Sequence, residues 1–142
     1  MSVKKIMNPN PVVVGMEDTV ARMRELFEEH RFHHLLVTER GILKGIVSDR
    51  DILKALSPYV GTPSEQTRDT STLFRRAHQV MTRDPITISP EASLADAISL
   101  FNRNKISCLP VVSQGNQPLG MVSWRDILRT MERVSQHKRK AD

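Results

Sequence analysis

The sequence has little of what stabilises secreted or membrane proteins. Its single cysteine, Cys108, excludes an internal disulfide framework and is typical of a reducing compartment. No stretch approaches the roughly 18 apolar residues of a membrane-spanning helix. Residues 1–11 contain two lysines but not the apolar run of a signal peptide. Aromatic residues are only 4% of the chain, so aliphatic side chains and seven methionines must build the core. We therefore expect a cytoplasmic protein without a membrane segment.

The overall composition is that of a globular protein with a basic excess. A content of 39% hydrophobic and 26% charged residues in 142 residues excludes wholesale disorder and allows one domain or two small halves. The net charge of +5 comes largely from arginines near the middle of the chain and from residues 137–140. The basic end has no interleaved aromatic residues, so we interpret residues 135–142 as a flexible, solvated tail and nucleic acid as an unlikely partner.

The chain contains an internal repeat, which relates residues 6–56 to residues 80–131. The sequence GIVSDRDIL at Gly45–Leu53 returns as GMVSWRDIL at Gly120–Leu128. A unit of this length is too long for a solenoid repeat and indicates a duplicated half-domain. We assign residues 1–57 to the first repeat, 58–79 to a linker rich in polar residues, and 80–134 to the second repeat.

Each repeat carries the signals of a β-α-β-β-α unit. Short β-prone runs at 12–14 and 86–88 precede amphipathic helical patterns, and two further strands joined by a glycine-containing turn precede a closing helix. About 50 residues are marginal as an independent domain. The predicted fold class is therefore mixed α/β (α+β), with the two repeats packed sheet against sheet about a pseudo-twofold axis and related clefts between them.

The strand-to-helix turn of each repeat is the strongest candidate site. Free backbone N–H groups and the positive end of the helix dipole attract anions at such a turn. A hydroxyl, a guanidinium and a carboxylate follow one another there, and they can serve as a phosphate donor, a phosphate clamp and an acceptor for a sugar diol. The alternative is that serine and aspartate only cap the helix, although a cap does not need arginine. The residues are Ser48, Arg50 and Asp51 in the first repeat and Ser123, Arg125 and Asp126 in the second.

Taken together, these motifs resemble a tandem pair of CBS domains, the Bateman module. The resemblance rests on Ile6-Met7 with Pro11-Val12, on residues 109–112, and on both Ser-x-Arg-Asp turns. It covers nearly the whole chain and implies a stand-alone regulatory module that forms a disc-shaped homodimer. It also implies an adenosine-containing regulatory ligand, either AMP, ADP or ATP, or else S-adenosylmethionine or a dinucleotide such as NAD, and no obligatory cofactor.

The resemblance also implies roles for individual residues. Asp51 and Asp126 match the family's ribose-binding carboxylates, Ser48 and Ser123 match the phosphate-contacting hydroxyls, and each arginine faces the phosphate. The family's sites are composite, so each aspartate is expected to work with residues that hold the base. The expected partners are Met7, Val12, His33 and His34 for Asp126, and Met81, Ile86, Ser107 and Cys108 for Asp51.

The sequence leaves other functions open but less favoured. Adjacent strand histidines point to opposite faces, so His33 and His34 do not form a chelating pair, and we expect no metal site. We expect one of these two histidines to be packed and the other to be in contact with water. No recurrent nucleophile–base pairing, P-loop or zinc spacing supports catalysis, and a phosphohydrolase that uses His33 with Asp51 is the weakest alternative. The main alternative to a nucleotide sensor is a protein- or nucleic-acid-interaction module with vestigial clefts, motivated by the basic linker and tail.

Overall fold

The computed structural model describes the backbone of residues 1–141 and the side chains of residues 1–140. Within them, no helix combines the length and the apolar character needed to cross a bilayer. The chain forms two compact units. The first, which we call the central unit, comprises Val12–Pro85. The second, the terminal unit, comprises Met1–Pro11 together with the chain from Ile86 onward.

The central unit contains one four-stranded sheet and flanking helices. The strands lie in the order β1-β2-β3-β4, with β1 parallel to β2 and the other neighbours antiparallel. A two-residue turn joins β2 to β3, and both of its residues, Arg40 and Gly41, have positive φ, as the tight hairpin requires. The elements are β1 (Val13–Gly15), α2 (Val20–Glu29), β2 (His34–Glu39), β3 (Ile42–Ser48), α3 (Asp49–Ala55), α4 (Thr67–Thr70), a 3-10 turn (Ser71–Phe74), α5 (Ala77–Val80) and β4 (Thr82–Arg83).

The terminal unit repeats this plan with less regular edges. Strands β5 and β6 form an antiparallel pair, which is flanked by a parallel bridge from Ile88 to Val111 and an antiparallel bridge from Asn8 to Met121. The predicted strand at 86–88 is therefore a single bridge rather than a full strand. The elements are α1 (Val3–Ile6), α6 (Leu94–Arg103), β5 (Cys108–Val112), β6 (Pro118–Ser123) and α7 (Trp124–Ala141).

In each unit, the segment that leads into one sequence repeat packs against the body of the other repeat. We call this arrangement the exchange of leading segments. Residues 2–8 belong to the first repeat by sequence, yet Ser2 bridges to Ser93 and Asn8 bridges to Met121 in the body of the second repeat. The equivalent residues 76–83, which lead into the second repeat, lie in the central unit, where Arg76 bridges to Thr19 and β4 pairs with β3. Each compact unit is thus the body of one repeat plus the leading segment of the other.

A glycine in each unit permits this exchanged segment to lie against the sheet. A Cβ atom at Gly120 would come within 2.6 Å of both the Asn8 carbonyl oxygen and Met7 Sδ. A Cβ atom at Gly45 would meet Met81 Sδ at 2.5 Å and the Thr82 carbonyl oxygen at 2.8 Å. These separations are below van der Waals contact, so the close approach of the two chain segments needs glycine at both positions.

Each unit has its own aliphatic core, as the scarcity of aromatic residues predicts. In the central unit α2 and α3 pack on the sheet through side chains such as Met23, Leu35 and Val47, all fully buried. In the terminal unit the fully buried set includes Val3, Leu109 and Val122. The mixed α/β class and the two β-α-β-β-α units are confirmed, whereas packing of one sheet on the other stays a prediction.

The structure differs from the interpretation of the sequence in one segment and adds detail in a second. The tail predicted to be flexible, 135–142, is helical through Ala141, since α7 meets no proline or glycine after Leu128 and contains strong helix formers. The linker is ordered locally around Asp69, whose carboxylate accepts hydrogen bonds from the Ser57 hydroxyl at 2.6 Å and the Gln66 N–H at 2.8 Å. These hydrogen bonds lower the pKa of Asp69, the bond from Ser57 contributing most.

Candidate functional site

The turn between β3 and α3 forms a complete capping box. The N–H of Ser48 donates to Asp51 Oδ2 at 2.8 Å, and the N–H of Asp51 donates to Ser48 Oγ at 3.1 Å. Both side chains are half-buried, and the box fixes their positions at the helix N-terminus. Both hydrogen bonds engage backbone N–H groups of the turn, so serine and aspartate do cap the helix. Arg50, the residue between them that a cap does not need, is exposed.

The turn between β6 and α7 has the same arrangement with one more hydrogen bond. The N–H of Ser123 donates to Asp126 Oδ2 at 2.8 Å, and its hydroxyl donates to the same oxygen at 3.0 Å. The N–H of Asp126 donates to Ser123 Oγ at 3.2 Å. A carboxylate has two oxygens with about four acceptor positions between them, so these bonds do not use its full capacity. The box therefore holds Asp126 in place while leaving it able to accept hydrogen bonds from a ligand.

The residue that differs between the two turns, Asp49 or Trp124, contacts a different kind of side chain in each turn. Trp124 occupies the position of Asp49 and is exposed over 46% of its surface. The Arg125 guanidinium lies 5.8 Å from the centre of its ring, within the range of a cation–π contact. In the central unit Asp49 instead contacts a histidine, since its Oδ2 lies 2.8 Å from His33 Nδ1. The two turns thus present different electrostatics.

The two histidines differ in burial, as the sequence interpretation expected. The His33 side chain is 71% exposed beside Asp49. His34 lies opposite Ser48 in the β2–β3 register and is half-buried. Burial lowers the pKa of His34, and the nearby carboxylates of Asp49 and Asp51 oppose that shift. The neutral imidazole is therefore favoured. No group of metal-ligating side chains with suitable geometry occurs among the described residues.

Cys108 is buried and is not poised for nucleophilic chemistry. Its Sγ lies 3.8 Å from Met121 Sδ on the neighbouring strand β6. Burial, with a smaller contribution from the Asp126 carboxylate, raises the pKa of the thiol to about 12. The thiol therefore stays protonated near neutral pH, and the thiolate is the reactive form. Ser107, one residue earlier, accepts a hydrogen bond at its carbonyl oxygen from the Trp124 N–H at 3.3 Å.

A pocket in the terminal unit brings together two of the predicted ligand-binding residues. Its volume is about 440 Å³, within the range of small-molecule sites, and Met7 and Asp126 both line it. The sequence interpretation missed several of its other residues. They are Lys5 on α1 and Arg129, Thr130 and Arg133 on α7. The signal was present in the sequence, because 126, 129, 130 and 133 follow the spacing of one helix face.

The structure distributes the predicted residues between the two units. The central unit contains Val12, His33, His34, Ser48, Arg50, Asp51 and Met81, and the terminal unit contains Met7, Ile86, Ser107, Cys108, Ser123, Arg125 and Asp126. In the terminal unit Met7 shares a pocket with Asp126, and in the central unit the Asp51 carboxylate is close enough to His34 to oppose the lowering of its pKa. The composite groupings that combine residues of both units stay a prediction.

Two equivalent α/β units, each with a Ser-x-Arg-Asp box at a strand-to-helix turn, define a duplicated module. Comparison with known proteins identifies the class. The model of the CBS domain family matches residues 3–58 and 77–133, so the chain belongs to the CBS domain family. The resemblance seen in the sequence is thereby confirmed.

Relatives show the module both alone and within larger proteins. A CBS domain-containing protein from Bacillus subtilis, YhcV, is 31% identical over 89% of this chain and 82% of its own length. A homoserine O-acetyltransferase from Methanocorpusculum labreanum is 33% identical over 87% of this chain, but the match covers only 23% of that enzyme. The chain spans about a fifth of the length of the first three curated relatives it matches.

Solved structures agree with the fold. CBSX2 from Arabidopsis thaliana, crystallised in complex with AMP, superposes with a TM-score of 0.79 at 25% identity. The superposition covers 94% of this chain and 98% of CBSX2.

Proposed function

We propose that this chain is a regulatory module that binds an adenosine-containing nucleotide. The observation that carries the proposal is the position of Asp126, which is fixed by its capping box and lines the same pocket as Met7. An ionised aspartate can accept both hydroxyls of a ribose, and hydrogen bonds to a charged group contribute about 1.5–3 kcal/mol each. The AMP complex of the similar protein CBSX2 supports the choice of ligand class.

We assign the central unit a second, weaker role in binding. Asp51 has the same capping box, but its turn contains Asp49 beside His33 where the other turn has Trp124 beside Arg125. An additional carboxylate near the ligand repels phosphate. We therefore expect Asp126 to contribute more to nucleotide affinity than Asp51.

The regulatory rather than catalytic assignment has chemical support. The most nucleophilic side-chain type in the terminal unit, the thiol of Cys108, is held protonated by burial. The longer enzymes among the relatives match this chain over only about a fifth of their length, so their activities are not transferred. Ligand binding can shift a conformational equilibrium only by its difference in affinity for the two states. The regulated process would be set by a partner.

The proposal is tested by calorimetric titration of AMP, ADP and ATP into the wild type and two matched variants. Asp126→Ala removes the carboxylate that lines the pocket. Asp96→Ala is the control, because Asp96 forms the same box with Ser93 at the start of α6, with bonds of 2.9 and 3.0 Å. Both variants lose the hydrogen bond from the serine N–H, worth about 0.5–1.5 kcal/mol of stability, but only Asp126→Ala should lose nucleotide affinity, by at least tenfold.

The comparison separates a structural from a binding role. Equal nucleotide affinity in the wild type and the Asp126→Ala variant would contradict the role of Asp126. An equal loss in both variants would mean that the aspartate acts only through folding. Binding of none of the three nucleotides by the wild type would contradict the function itself and would favour the alternative of an interaction module.

A further inference from the structure

The pocket at Asp126 has an excess of positive charge that the proposed ribose contact does not use. Three cationic side chains line it, Lys5, Arg129 and Arg133, against the single carboxylate of Asp126. The ion pairs found among residues 1–140 involve none of these three cations. All three side chains are exposed, and each of them would attract an anion bound in the pocket.

The charges are arranged along a line rather than around a point. Asp126, Arg129 and Arg133 share one face of α7, and at 1.5 Å per residue Arg133 lies roughly 10 Å along the helix axis from Asp126. Lys5 reaches the same pocket from α1, which contacts α7. An elongated ligand can therefore place a neutral diol at Asp126 and a negatively charged group between the side chains of Arg133 and Lys5.

The position of α1 depends on the exchange of leading segments. The backbone N–H groups of Val3 and Lys4 donate to the carbonyl oxygens of Ala92 and Pro90 at 2.8 and 3.0 Å, and Val3 is fully buried. Lys5 is thus attached to the same unit as α7, although it precedes α7 by more than 100 positions in the sequence. This arrangement brings the three exposed cations to one pocket of the terminal unit.

We propose that Lys5, Arg129 and Arg133 bind the second and third phosphates of the nucleotide, and that the terminal unit therefore selects ADP and ATP over AMP and over S-adenosylmethionine. The inference rests on the proposed function and adds a preference within the adenosine class. Arginine and lysine contacts strengthen with each added phosphate charge. S-adenosylmethionine carries a sulfonium cation, which the same cluster repels.

The test compares ATP and AMP titrations, at one ionic strength and without divalent cations, for the wild type and three variants. Arg133→Gln and Lys5→Gln each remove one pocket cation. Arg139→Gln removes a charge from the same helix outside the set that lines the pocket, and it controls for the change in net charge. We expect Arg133→Gln and Lys5→Gln each to weaken ATP binding by about tenfold or more with AMP affinity changed less than twofold, since hydrogen bonds to charged groups have roughly that value.

The outcomes distinguish this inference from the proposed function. A wild type that binds AMP as tightly as ATP, or pocket variants that weaken both nucleotides equally, would overturn the phosphate preference and leave nucleotide binding through Asp126 intact. An equal loss in Arg139→Gln would also overturn it, because the effect would then be long-range. If no adenine nucleotide binds, both proposals fail together.

Discussion

At the scale of single residues, the chain uses one motif for two purposes. Ser–Asp capping boxes begin α3, α6 and α7, with Oδ2 of each aspartate accepting a hydrogen bond from the serine N–H at 2.8–2.9 Å. The box at Asp96 begins α6, and Asp96 is not among the residues that line the pocket. The other two occupy equivalent turns with an arginine between serine and aspartate. Helix capping thus positions Asp51 and Asp126, and a ligand can use a carboxylate that is already fixed.

A first prediction concerns Gly120, the glycine that the exchanged segment crosses. Gly120→Ala should lower the free energy of unfolding by about 1–3 kcal/mol, since the new methyl group must displace the Asn8 carbonyl and the Met7 side chain. Urea denaturation measures the change. Gly115→Ala is the control, because its Cβ would meet only Ser113 Oγ, at 3.8 Å. Equal stability of the two variants would contradict the close approach of Met7 and Asn8 to β6.

At the scale of elements, the exchange of leading segments is the feature that organises both units. Helix α1 and residues 7–8 complete the terminal unit, and α5 with β4 completes the central unit. Paired backbone hydrogen bonds fix the first of these segments, with Asn8 and Met121 each donating to the other's carbonyl oxygen at 2.8 and 3.0 Å. The first residues of the chain therefore stabilise strands located more than 100 positions later.

A second prediction follows from this exchange. Deleting residues 1–8 should destabilise the terminal unit by about 3 kcal/mol or more, because it removes the buried Val3, the packing of Met7 and the hydrogen bonds to Met121. Amide hydrogen exchange should accelerate at Leu109 and Val122 and change much less at Leu35 and Val47 of the central unit.

Deleting residues 135–142 provides the control for that experiment. The described side chains 135–140 are exposed, so their removal should leave exchange in both units unchanged. Faster exchange in the central unit than in the terminal unit after loss of residues 1–8 would contradict the assignment of α1.

The elements also show what the sequence could and could not predict. The repeat, the strands of each hairpin and the amphipathic helices depend on local patterns, and the structure has them where those patterns indicated. The body that Met7 packs against could not be predicted from local patterns, since identical motifs in both repeats offer two equivalent partners, and only the family resemblance placed Met7 with Asp126. Lys5 was missed for a related reason, because it meets α7 only through the exchange of leading segments. Arg129 and Arg133 were missed although they follow the helical spacing from Asp126.

At the scale of the whole molecule, family membership and the two units define a CBS pair. The homodimer implied by the family resemblance stays a prediction, as does the alternative of an interaction module. Relatives such as YhcV consist largely of the pair, whereas in the homoserine O-acetyltransferase it is a small part of a longer enzyme. Both contexts are compatible with a ligand sensor whose output is read by another protein or domain.

The most direct test of nucleotide sensing is thermal melting of the protein with AMP, ADP, ATP, S-adenosylmethionine and NAD. A ligand at 100 times its dissociation constant adds about 2.7 kcal/mol, which raises the melting temperature by several degrees for a chain of this size. We predict the largest increase with ATP or ADP, its loss in Asp126→Ala, and its retention in Asp96→Ala. No increase with any of the five compounds, or an undiminished increase in Asp126→Ala, would contradict binding of an adenosine ligand at Asp126.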